Sequence, residues 1–213
     1  MFGSYFSHFD RTNPEMMLAQ KHPYIRTRCE QLERVLGETK PGFDSIVLEL
    51  PYILGCLPGK VPPWTFLFSM LSNRGKWSLF FKKGGTAAVT ANQVGQAAIG
   101  AIEKGVGGMA YAIGGCNFEW TEFAKAYARV SQRNKKLIAL PPFVFCVFGV
   151  ASAIILLLQG KERGISINNF VDFQYMEAFI DPLSTMTALG YSHDNYEEAL
   201  DSLIKEWILL KSI

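Results

Sequence analysis

Several classes of protein are excluded by what this sequence has little of. Four cysteines occur, Cys29, Cys56, Cys116 and Cys146, widely spaced and without a Cys-x-x-Cys pair. Neither a zinc site nor a disulfide framework is indicated, and a reducing, cytoplasmic setting is the simplest reading. The three histidines, His8, His22 and His193, are too scattered to suggest a metal cluster. Charge is also sparse. Charged residues make up 19% of the chain and the net charge is +2, which gives no general attraction for phosphate backbones, so nucleic acid is not an expected partner. The opening "MFGSYFSHFDR" lacks a basic stretch followed by an apolar run and does not read as a secretion signal. Internal repeats and low-complexity linkers are missing too. With 213 residues, 49% of them apolar, the chain suffices for one real hydrophobic core and is short for two domains.

One long apolar run is present, "FVFCVFGVASAIILLL" at 143–158, uncharged and flanked by "RNKK" and "KERG". At about 1.5 Å per residue it reaches roughly 24 Å, short of the roughly 30 Å hydrocarbon core. A helix buried in the domain or leaning on a membrane surface is expected rather than a span, and basic residues at both ends give no orientation.

The remaining pattern alternates between the two periods of regular structure. "MFGSYFSHF" reads as the end of a strand leading into a polar loop. A helix is expected over 24–36, with Cys29, Leu32, Val35 and Leu36 at helical spacing and Gly37 ending it. "FDSIVLELPYILG" reads as a buried strand entering a loop, "VPPWTFLFSMLSNRGK" as a helix, and "WSLFFKKGGTAAVT" as two short strands joined by a turn around Gly84 and Gly85. "ANQVGQAAIGAIEKG" is expected as a helix with Val94, Ala98, Ile99 and Ile102 on one face and Gly105 as its stop. A strand in "GMAYAIGG", a helix in "EWTEFAKAYARVSQR" and a last amphipathic helix in "NYEEALDSLIKEWILL" complete an α/β pattern with a largely parallel sheet.

Two motifs bear on chemistry. "GVGGMA", from Gly105, formally matches the Gly-x-Gly-x-x-Ala dinucleotide fingerprint, but a helix precedes it and a strand follows, the reverse of what seats a pyrophosphate on a helix start. A helix stop and turn is the reading. Tyr24 and Arg28, four residues apart at the head of a helix, share one face. Taken alone, that pair is the first turn of a surface helix.

The order of segments adds to this. "GSYFS" resembles the serine-bearing strand end of the extended short-chain dehydrogenases/reductases, the NAD(P)-dependent epimerase/dehydratase family. "PYIRTRCEQLERVL" resembles its Pro-Tyr-x-x-x-Lys helix, "IVLELPYILG" its Arg-Pro-Pro-x-x-x-Gly strand, "TAAVTANQVGQAAIGAIEKG" its Val-x-Val-x-Asp-Val-Ala segment, "AYAIGGCNFEWTEFAK" its Tyr-Asn-Ile-Gly-Gly stretch, and "ALGYSHDNYEEALDSLIKEW" its closing segment. The resemblance implies a single partial domain over 1–213, the substrate-side half of such an enzyme on an incomplete parallel sheet, with Met1 falling mid-sheet. It implies Tyr24 as acid/base, Arg28 at the lysine position, Ser4 (or Ser7, the spacing being loose) holding the substrate oxygen, and Tyr24, Arg28 and Pro51 toward an NAD or NADP cofactor. The substrate would be a nucleotide sugar or related carbonyl or hydroxyl compound, and the resemblance admits a homo-oligomer. No metal is implied. A phenol near pKa 10 needs an adjacent cation to exchange protons near neutrality, which is why those residue types recur together.

The departures are specific. Arg28 keeps the charge of lysine without its point geometry or its ability to lose a proton. Glu49 and Leu50 stand where Arg and the first Pro are usual, Asn92 stands at the usual Asp, and no glycine-rich cofactor turn occurs among the 213 residues. The alternative expectation is a non-catalytic interaction or membrane-associated protein on the same scaffold.

Overall fold

Two strands meet at Pro51, and their partners set the architecture. In a computed structural model of the protein, which describes residues 1–72, 75–133, 135–139, 141, 143–144 and 173–212, β1 (Phe2–Ser4) and β2 (Val47–Leu50) pair in parallel, with Gly3 opposite Glu49. The other edge of β2 pairs in parallel with β6 (Ala110–Ala112). Proline offers no N–H to a ladder. Beyond Pro51 the chain changes sheets: β3 (Tyr52–Leu54) pairs in parallel with β5 (Gly85–Thr90), which also takes β7 (Cys116–Glu119) antiparallel and β9 (Glu177–Ala178) parallel. A third, two-stranded sheet joins β4 (Trp77–Phe80) to β8 (Lys136–Ala139) in parallel. The expected α/β fold with parallel sheets and flanking helices is therefore present. The apolar run at 143–158 lies outside the described residues except for Phe143 and Val144.

The helices follow the sequence with two corrections. Where "MFGSYFSHF" suggested a strand running into a loop, only Phe2–Ser4 is strand and α1 (Tyr5–Thr12) is helix. Its Tyr5, Phe6 and Phe9 are buried with Phe173, so the aromatic spacing reflects a helix face folded onto the core. After the short α2 (Leu18–Lys21) comes α3 (Pro23–Leu36), close to expectation: Pro23 opens it and Ile25 and Leu32 are buried, at roughly 1.5–3 kcal/mol each.

The second correction concerns α5 (Ala91–Lys104). Its buried side is Gln93, Ala97, Gly100 and Ala101, while Ile99 and Ile102 are 58% and 87% exposed. The reason is close approach: a Cβ at Gly100 would collide with the Leu189 carbonyl at the end of α7 (Leu183–Leu189). Only small residues fit there, so the large apolar ones turn outward. A capping box between Thr90 and Gln93 starts the helix.

On the far side, α4 (Phe66–Leu71), α6 (Trp120–Ser131) and α8 (Tyr196–Ser212) enclose an aromatic core in which Phe68 and Phe123 stack at 5.0 Å. Strands β4 and β5 exist as expected, and Gly84 between them takes φ +78°, yet they join different sheets rather than pairing with each other.

Candidate functional site

Helix α3 packs against β1, and Phe6 lies between Ser4 at the strand end and Tyr24 at the helix start. Ser4 is the last residue of β1 and the N-cap of α1, where its Oγ accepts from the Phe6 N–H at 3.4 Å. Tyr24 is the second residue of α3, half-buried, with its ring edge-on to Phe6 at 6.2 Å. Phe6 therefore links the two. Arg28 lies one turn along, but its guanidinium sits over the Tyr24 ring at 5.0 Å and donates to Gln31 Oε1 at 2.8 Å. Its charge meets the π face of the phenol and a neighbouring amide rather than a second charged group. Among the described residues no hydrogen bond joins Ser4, Tyr24 and Arg28. Pro51 is buried at the junction of β2 and β3.

Ser7, the alternative serine, is committed elsewhere. It is 1% exposed, and its Oγ lies 2.6 Å from the Ser4 carbonyl and 2.5 Å from Glu49 Oε1; its one proton is donated to one of them at a time. Glu49 is fully buried in β2, and Arg11 grips it with both arms: Nη1 donates to Oε1 at 2.8 Å and Nη2 to Oε2 at 2.6 Å, while Nη1 also donates to the Ser7 carbonyl at 3.1 Å. This network clamps α1 onto β2 beside Ser4, and the Glu49 bonds raise the Arg11 pKa further. Sequence reasoning noted Glu49 only as a departure from a family pattern. A lone acid inside the apolar "IVLELP" was the signal, because a buried carboxylate needs a partner. Arg11 was missed since its helix was read as a loop.

Next to Ser4 stands a second phenol. Tyr5 is 3% exposed, its hydroxyl lies 3.2 Å from Thr86 Oγ1, and its ring is 6.1 Å from that of Tyr52. Burial, with Tyr52 and Tyr24 adding to it, pushes the Tyr5 pKa well above the ordinary phenol value, so Tyr5 is a neutral hydroxyl at any physiological pH. Asn92 has a structural job: its Nδ2 donates to Asp194 Oδ2 at 3.3 Å, and Thr90 Oγ1 donates to the same oxygen at 2.6 Å.

The glycine cluster does not fit a dinucleotide. Gly105 closes α5 by donating to the Ala101 carbonyl, Val106 N–H donates to the Tyr111 hydroxyl, and Gly108, at φ +78°, donates to the Ser45 carbonyl. Amides engaged this way are not open to a phosphate, and the Asp44 carboxylate lies against Gly107, where it would repel one. The turn reading holds. Two open clefts lie on the outer helices, one between α6 and α8 and one between α4, α6 and α8; neither is lined by Ser4, Tyr24, Arg28 or Pro51.

No protein-family model matches the sequence, and no curated protein matches it. Solved structures do resemble the fold. A nucleoside-diphosphate-sugar epimerase from Pseudomonas aeruginosa superposes with a TM-score of 0.60 at 15% identity, over 88% of this chain and 56% of its own. A dTDP-glucose 4,6-dehydratase from Bacillus anthracis in complex with NAD gives 0.56 at 14% identity, over 88% and 52%. A UDP-glucuronic acid 4-epimerase from Bacillus cereus, in complex with UDP-glucuronic acid and NAD, gives 0.55 at 16% identity, over 87% and 53%. The chain thus has the Rossmann-like fold of these enzymes and spans about half of their length. Among the described residues no helix is long and apolar enough to cross a membrane.

Proposed function

We propose that this chain forms the substrate side of an NAD(P)-dependent epimerase/dehydratase or reductase acting on a nucleotide sugar or a related carbonyl or hydroxyl compound. The observation that carries the reading is the approach of Tyr24 to the end of β1 through Phe6, on a fold shared with nucleotide-sugar enzymes. In this reading Tyr24 exchanges a proton with the substrate oxygen, Ser4 holds that oxygen, and Arg28 supplies positive charge beside the phenol. NAD or NADP supplies hydride chemistry when bound, with Tyr24, Arg28 and Pro51 at its nicotinamide end. The pyrophosphate seat belongs to a glycine-rich half that these 213 residues do not contain, so 1–213 reads as a single partial domain, inactive by itself.

The test is a chain joined to a dinucleotide-binding half. Tyr24→Phe removes the proposed proton carrier and is expected to lower turnover by about 100-fold or more, whereas Arg28→Lys preserves or raises it. Unchanged turnover in Tyr24→Phe would reduce the pair to the first turn of a surface helix. A second reading, a non-catalytic interaction protein on the same scaffold, is favoured by one observation: Arg28 lies over the ring face and on Gln31.

A further inference from the structure

The larger of the two clefts, remote from Tyr24, has a volume of about 590 Å³, within the range of small-molecule sites. Its floor is apolar. Tyr127 and Trp207 are buried and meet edge-on at 6.0 Å, with Ile208 beside them. Its mouth is cationic: Arg133 and Lys211, both exposed, line it, and none of its described lining residues is acidic. Arg133 Nη1 donates to the Ser72 carbonyl at 3.0 Å, one of five N–H groups on a guanidinium. The Lys211 ammonium stands 6.0 Å from the Trp207 ring centroid, at the limit of a cation–π contact. Ser131 Oγ, in the same lining, is buried and makes no hydrogen bond. Helix C-termini favour cations, and each of these cations sits at one. That preference does not account for both lining one apolar-floored cleft around an unpaired hydroxyl, which costs free energy until an acceptor arrives.

We propose that this cleft binds a phosphate-bearing amphiphile, with the apolar end on Tyr127, Trp207 and Ile208 and the phosphate among Arg133, Lys211 and Ser131 Oγ. Two cationic side chains and one hydroxyl match the several oxygens of a phosphate, and the guanidinium fork is the stronger of the two charged partners.

Calorimetric titration of the full chain with octyl phosphate, below its micellar concentration, tests this. Saturable one-site binding is expected, weakened about tenfold by Arg133→Gln and about tenfold by Lys211→Gln, or about 1.4 kcal/mol each. Octanol and inorganic phosphate should each bind at least tenfold more weakly than octyl phosphate. If Arg133→Gln unfolds through loss of the Ser72 contact, Lys211→Gln, exposed in the last turn of α8, carries the test. Absence of saturable binding, equal affinity for inorganic phosphate, or unchanged affinity in Lys211→Gln would overturn the proposal. Sedimentation with phosphatidylcholine vesicles containing phosphatidic acid identifies the source. Pelleting that the same substitutions abolish assigns the phosphate to a lipid headgroup, octyl phosphate binding without pelleting assigns it to a free amphiphile, and either supports the site.

Discussion

Two arginines near the end of β1 show how much burial of the partner matters. Arg11 holds a carboxylate that is fully buried, through a two-armed contact, and is itself 43% exposed. Arg28 lies over a half-buried phenol and bonds an exposed amide. Both sit on helices packed at the same strand end, yet only the first has a partner that would be left charged in a water-poor site if the arginine were removed. The comparison assigns the Arg11 to Glu49 contact to architecture and gives Arg28 no comparable structural load.

The largest expected effect separates the two directly. Arg11→Ala should destabilise the fold by about 3 kcal/mol, the low end for breaking a buried pair because water can reach the half-exposed side, while Arg28→Ala should stay within about 0.5 kcal/mol. Chemical denaturation of both variants against the parent measures this, and equal losses would erase the distinction. A smaller effect is expected at Ser7. Ser7→Ala removes a donor from Glu49 and the Ser4 carbonyl but leaves the Arg11 grip intact, so a loss of about 1–3 kcal/mol is expected, smaller than for Arg11→Ala in the same experiment.

The smallest effect is a pH dependence at His8, which neighbours the same network. Burial lowers its pKa, with Glu49 pulling it up and Arg11 pushing it down. The unfolded chain, titrating near pH 6.5, therefore binds the proton first. Stability from this group is fully present above about pH 6.5 and declines as pH falls from there through the lower folded value. Denaturation midpoints at pH 7.5 and 5.5 should differ in that direction, and His8→Gln should shrink the difference. A midpoint that rises on acidification by way of His8 would reverse the sign of the argument.

Much of this molecule was legible in the sequence where local pattern and tertiary environment agree. The span of α3 follows from the spacing of Cys29, Leu32, Val35 and Leu36 and from Gly37 at its end, although of these four only Leu32 is buried, and the turn at Gly105 follows from a helix preceding the glycines. The pattern misled where packing distance overrode it. Apolar spacing in α5 pointed to Ile99 and Ile102, but the Leu189 carbonyl admits only Gly100 and its small neighbours. Aromatic residues in "SYFSHF" suited a strand equally well, and the helix instead carries Ser7 and Arg11 onto Glu49, which lies 42 and 38 residues away from them in sequence. Tyr24 and Arg28 were legible as neighbours on a helix face; that the cation would settle on the ring face depended on Gln31 and the half-buried surroundings, which spacing does not encode.

Calorimetric titration of the 213-residue chain with NAD and with NADP tests the central claim, that these residues provide the substrate side of the site and no pyrophosphate seat. A seat at a helix N-terminus supplies several charge-assisted hydrogen bonds at about 1.5–3 kcal/mol each, and every 1.4 kcal/mol is about tenfold in affinity. The account predicts dissociation constants in the millimolar range or weaker for both nucleotides. A micromolar constant for either would contradict it and make this chain a cofactor-binding protein in its own right.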